Sequence, residues 1–198
     1  MSRRKDAKAL ARWDNEARRW ATATGRDLAL DLYYNRETDT RPYGVGVVLG
    51  SGEKVWTEVP VRFNLDRPPL IKPGELAQPP VRTWLVTSAR VVGRLADDRL
   101  HGYRWERAVG IRVDLTPGRE VVSLDLDSEP TLIWTGPAVA PLAVAAVFHL
   151  YGALAMIDHP GLAPLRVLIN TSEASPEPSY NRNLWMHHLT GGAAYLPL

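Results

Sequence analysis

Three patterns in the sequence predict an α+β domain: an antiparallel β-barrel or sandwich, capped by a C-terminal apolar helix and preceded by an amphipathic one. Between Trp84 and Thr135, short runs of alternating apolar and polar residues are separated by polar turns, the mark of antiparallel strands spaced about 8–12 residues apart. A segment without Asp, Glu, Lys or Arg then runs from Pro137 to Ile157. Ahead of both, Leu10, Trp13, Ala17 and Trp20 follow a 3-4-3 spacing that lines up side chains along one side of a helix.

The first element is that helix, expected over residues 3 to 22 and ended by Gly25, a residue suited to a helix stop. Arg12, Asp14, Glu16, Arg18 and Arg19 fill its other positions. The whole chain has a net charge of +2, but residues 1–22 hold seven Lys/Arg against three acids, so the leader is +4 and the rest −2. A nucleic-acid-binding body would carry a basic face of its own, so nucleic acid is not an expected partner. The Trp stripe has three readings: docking on its own domain, recognition by a partner protein, or an interfacial contact with anionic lipid.

Leu28, Leu30 and Leu32 fit either an edge strand or a continued helix, and Asn35, Asp39 and Pro42 mark a loop. After Gly50-Ser51-Gly52, the alternation of Val55, Val59, Val61 and Phe63 predicts a strand over 53–63, with Pro60 on an edge or at a bulge. Residues 64–81 contain five prolines and form a long irregular loop. Strands are expected next at 84–87, 90–95, 103–105, 109–115, 122–126 and 131–135, which brings the total to seven.

The uncharged segment raises the question of a membrane span, but Pro141 fits only the first turn of a helix. That leaves residues 141–157, and seven alanines dilute the whole uncharged segment, so a buried helix is expected instead. Its bulky side, Ala143, Val147, Leu150, Leu154 and Ile157 with Val144, Phe148 and Tyr151, should lie on the sheet. The smaller side, with Leu142, Ala146, His149 and Ala153, should face water or a partner. Residues 170–180 read as a polar linker, and Leu184, Trp185, Met186 and Leu189 make an apolar tail that folds back or binds another chain. The expected divisions are 1–24, 25–168 and 169–198.

Several short stretches carry a resemblance. The order Trp-Leu-Val-Thr-Ser-Ala-Arg-Val-Val (84–92), Trp-Glu-Arg-Ala-Val-Gly-Ile-Arg-Val-Asp-Leu (105–115), the 123–126 strand and the closing helix resembles a bacterial pleckstrin-homology-like domain of the GRAM type. Gly52-Glu53 before Val55 resembles that family's Gly-Glu start to its first strand. The resemblance spans about residues 45–168 and implies a helix-plugged barrel that binds lipid headgroups or proteins, without catalysis. The chain departs from the family in its Pro-rich loop and in lacking a basic cluster where lipid-binding members hold phosphate.

Catalytic signatures are missing. No cysteine is present, so thiolate nucleophiles, thiolate metal sites and disulfides are excluded, in keeping with a cytoplasmic setting. Arg3, Arg4 and Lys5 are followed by further charges, not by the apolar core of a signal peptide. There is no Gly-x-Ser-x-Gly or phosphate loop, and Gly44-Val45-Gly46 lacks the third glycine of a dinucleotide fingerprint. His187 and His188 with His101, His149 or His159 have no ligand spacing, and Asp125 and Asp127 read as solvent-facing strand residues. No metal, cofactor or small-molecule substrate is expected.

The expected function is a binding or adaptor module that holds a protein partner, or a second copy, through Leu10, Trp13, Ala17 and Trp20 and the tail residues Leu184, Trp185, Met186 and Leu189. The alternative is a peripheral membrane module. In that reading Arg12, Arg18, Arg19, Lys72, Arg82, Arg90 and Arg94 supply cations to an anionic ligand.

Overall fold

The structure, a computed structural model, describes residues 3–35, 47–65, 81–95 and 99–170. Most of the Pro-rich loop, including Lys72, lies outside the described residues, as do Gly44-Val45-Gly46 and the tail with Leu184, Trp185, Met186 and Leu189.

Seven strands form, the fourth displaced toward the N-terminus from the expected 103–105: β1 (Val55–Leu65), β2 (Val81–Thr87), β3 (Arg90–Arg94), β4 (Leu100–Arg104), β5 (Ala108–Asp114), β6 (Val121–Leu126) and β7 (Leu132–Thr135). All pair antiparallel in the order β4-β3-β2-β1-β7-β6-β5. With the helices around it, this is the α+β architecture expected from the sequence, an antiparallel sheet capped by an apolar helix. β1 joins the two halves of the sheet: it pairs with β2 from Val55 to Arg62 and with β7 from Arg62 to Leu65. Pro60 therefore sits where β1 has a neighbour on one side only, and its missing N–H interrupts no second ladder.

The barrel does not close. β4 and β5 are the two sheet edges, and between them Trp105–Arg107 form a 3-10 turn, so Trp105 falls outside the strand expected over 103–105. The Trp105 indole is buried and donates from Nε1 to the Thr87 carbonyl at 2.9 Å, which anchors the turn and leads the chain out of the ladder.

The sheet's inner face carries Val59, Val61, Trp84, Val86, Val122, Leu124, Leu132 and Trp134, all buried. Phe63 lies 4.4 Å from Trp84 and 5.4 Å from Trp134, ring to ring, and Trp84 meets Trp134 edge-on at 5.6 Å. This aromatic cluster supplies a large share of the apolar area withdrawn from water.

Helix α2 (Ala140–Tyr151) caps this face, followed by α3 (Ala155–Asp158) and α4 (Ala163–Asn170). The expected helix over 141–157 is thus broken. Gly152 adopts φ 83° and donates its N–H to the Phe148 carbonyl at 2.8 Å, which ends α2. Tyr151 and Leu154, placed by their spacing on the buried side, are 53% and 70% exposed as a result. Conversely Leu142 and Ala146, expected toward water, are buried, because α1 (Arg3–Tyr33) covers that side of α2.

α1 is 31 residues long and runs straight through Gly25. The glycine serves close packing, not termination: a Cβ there would lie 3.3 Å from the Ala140 carbonyl carbon and 3.4 Å from the Pro141 nitrogen. Residues 28–33 are consequently helix, one of the two alternatives their pattern allowed.

His149, at the C-terminal end of α2, is stacked between Trp56 and Trp105 with ring centroids 5.0 and 4.9 Å away. Its Nε2 is buried without a hydrogen-bond partner, and burial pushes the imidazole down to about 4. Because the folded value lies below that of the unfolded chain, the neutral ring stabilises the fold above pH 6.5, and this is lost as pH falls from 6.5 to about 4. Allowing for partial exposure, the expected loss is about 2 kcal/mol. Thermal midpoints across that window should fall in the wild type and stay flatter in His149→Phe; equal slopes would contradict the assignment.

Candidate partner-binding surface

Two stripes run along α1. The docking stripe is Ala21, Gly25, Leu28 and the partly buried Leu32, spaced 4-3-4, which meets α2 and the main core. Its small residues let the helices approach closely, while Leu28 and Leu32 fill the space beyond. Arg18, one turn before, donates from Nε to the buried Glu120, whose second oxygen accepts from the Gly118 N–H at 2.9 Å.

N-terminal to Arg18 most of the described side chains are exposed, with Asp14 and Ala17 half-buried. Ala11, Arg12, Trp13, Asn15 and Glu16 are exposed, and Arg12 spends its charge on Glu16 at 2.8 Å within the helix. Residues 3–17 would reach about 22 Å at the α-helical rise.

Trp13 is 40% and Trp20 43% exposed, with the half-buried Ala17 between them. At 3.6 residues per turn they lie roughly 100° around the helix from the docking stripe. Trp20 also forms one wall of a groove with Thr57, Glu58, Pro60 and Thr83. In that groove burial raises the Glu58 carboxyl, and its Oε1 is buried without a partner. Leu10 belongs to the same helix, but its side chain lies outside what the structure describes.

The arginines singled out in the sequence do not gather into one patch. Arg12, Arg18 and Arg90 each pair with an acid of the chain, Glu16, Glu120 and Glu53 respectively. Arg19 is exposed on α1, Arg82 lies on β2 opposite Val61, and Arg94 lies on β3 opposite Leu100. The docking stripe itself escaped sequence reasoning, although the spacing of 18, 21, 25, 28 and 32 is regular. Its signal was masked by the smallness of Ala21 and Gly25.

No family model matches the chain, and no curated protein matches it. Among solved structures, the Vps36 N-terminal PH domain superposes with a TM-score of 0.36 and 13% sequence identity, over 50% of this chain and 83% of that one. No helix among the described residues is long and apolar enough to cross a membrane.

Proposed function

We propose that this protein is a non-catalytic binding module of GRAM-like type that engages a protein partner, with a second copy of the chain as the first candidate. The contact is made through the projecting part of α1, joined by the apolar tail residues Leu184, Trp185, Met186 and Leu189. The observation that carries this reading is the pair Trp13 and Trp20, left 40% and 43% exposed while a different stripe of α1 does the docking. Indole rings combine large apolar area with few rotatable bonds, and they anchor interfaces disproportionately often.

The test is sedimentation of the full chain and of Trp13→Ala/Trp20→Ala. The wild type is expected to self-associate, and the variant to sediment as a monomer with an unchanged thermal midpoint. A collapsed midpoint would make the two tryptophans core residues. Flotation on neutral and anionic vesicles addresses the membrane alternative, in which exposed Arg12 and Arg19 flank the tryptophans. Binding to anionic vesicles alone, abolished by salt and lost in Trp13→Ala/Trp20→Ala, would replace the protein partner with a lipid surface.

A further inference from the structure

A second site lies on the outer face of the sheet. Arg62 of β1, Thr135 of β7, Val121 of β6 and Asp114 of β5 stand opposite one another in register, one row across four strands. The row ends below the β5–β6 turn, where Gly118 at φ 84° reverses the chain and Arg119 comes within 3.8 Å of Asp114. Asp14 and Arg18 of α1 form another wall, and with Glu120 and Gly136 these residues bound an open cleft of about 400 Å³.

The charges in this cleft are unequally used. Glu120 is already satisfied by Arg18 and by the Gly118 N–H. Arg62 is half-buried and, among the described residues, has neither a hydrogen bond nor an ion pair. Arg119 has only its long contact to Asp114 and is largely exposed. A guanidinium offers five donors and no acceptor, and partial burial removes the water that would otherwise satisfy it.

We propose that the cleft binds a phosphomonoester, its oxygens held by Arg62 and Arg119 over the Thr135 hydroxyl. Two planar donor forks and a hydroxyl match the three terminal oxygens of a phosphate better than the two of a carboxylate. Asp14, which also has no partner among the described residues, accepts from a hydroxyl on the same ligand. Glycerol 3-phosphate therefore binds more tightly than inorganic phosphate. The site is independent of the tryptophan face.

Calorimetric titration of the full chain with glycerol 3-phosphate at constant ionic strength tests this. Arg62→Gln and Arg119→Gln are each expected to weaken binding by about tenfold, the scale of a lost charge-assisted hydrogen bond. Arg112→Gln, an exposed position on β5 that does not line the cleft, should leave binding unchanged, as should Trp13→Ala/Trp20→Ala. Arg119 is exposed, so its variant remains informative even where Arg62→Gln perturbs the fold. Vesicles of phosphatidic acid in phosphatidylcholine separate the sources. Flotation lost in Arg119→Gln marks a lipid-borne phosphate, and soluble binding without flotation marks a free ligand. No binding at millimolar glycerol 3-phosphate, or equal losses in all three arginine variants, would overturn the proposal.

Discussion

Replacing Gly93 by Ala is expected to cost the fold about 3 kcal/mol, the upper range for forcing an atom into a packed core. Gly93 on β3 lies directly opposite Trp84 on β2. A Cβ built there falls inside the van der Waals surface of the indole, with Cε3 only 2.6 Å away. The ring has nowhere to go: Trp84 is fully buried and held by Phe63, Tyr103 and Trp134. Either the indole leaves its rotamer or β3 separates from β2, and both disturb the centre of the core. Gly102→Ala on the neighbouring β4 is the matched control, since its Cβ would meet the Arg90 side chain at 3.4 Å, an ordinary contact distance. Urea midpoints should separate the two variants clearly, with equal slopes. A Gly93→Ala midpoint matching that of the control would refute the packing described for Trp84.

Arg90→Met should be comparably damaging, for an electrostatic reason. The Glu53 side chain is 4% exposed and accepts from Arg90 Nε at 2.9 Å, Arg90 Nη2 at 3.1 Å, the Thr87 hydroxyl at 2.7 Å and the Gly50 N–H at 2.7 Å. Burial pushes this carboxyl up, but the hydrogen bonds from Arg90, Gly50 and Thr87 outweigh it and bring it down to about 2. The folded value lies below the ordinary 4.5, so this contribution is complete above pH 4.5 and disappears as pH falls toward 2. Removing the arginine leaves a buried carboxylate without its main partner, at a cost of about 3 kcal/mol near neutral pH. Acidification should then relieve the variant while it destabilises the wild type. Glu53→Gln added to Arg90→Met should recover much of the loss. A variant whose stability follows the wild-type pH profile would show that the pair contributes nothing.

The same arginine shows where sequence reading stops. Arg90 resembles any solvated cation on a hairpin, because its partner Glu53 is 37 residues away and nothing local announces the pairing. The strands were legible because half-buried sheets impose alternation, as in Val122, Leu124 and Leu126, where the even positions are all buried. The failure of the barrel to close was not legible. It goes with the bond from the Trp105 indole to the Thr87 carbonyl, a contact across 18 residues that nothing local announces. Gly25 misled for a different reason: the same residue type ends helices and lets two helices touch, and only the presence of Ala140 and Pro141 decides between them. Once α1 continues past Gly25 it covers α2, so the small side of α2 is buried as deeply as the bulky one.

The tryptophan stripe was readable from spacing, since Trp13, Ala17 and Trp20 do share a side of α1. Its exposure was not readable, because any amphipathic stripe can dock on its own domain. Arg62 and Arg119 were overlooked as well. They converge only through strand register and a glycine turn, although they stand 57 positions apart in the sequence.

α1 combines two segments in one helix, a docked part from Arg18 to Tyr33 and a part before it whose described side chains are mostly exposed. Hydrogen exchange along α1 in the monomeric Trp13→Ala/Trp20→Ala protein measures this directly. Amides from Ala21 to Leu32 should exchange only with global opening, while those from Lys8 to Glu16 exchange orders of magnitude faster by local fraying. In the associated wild type the projecting amides should gain protection. Uniform slow exchange along the whole helix of the monomer, with no change on association, would contradict it.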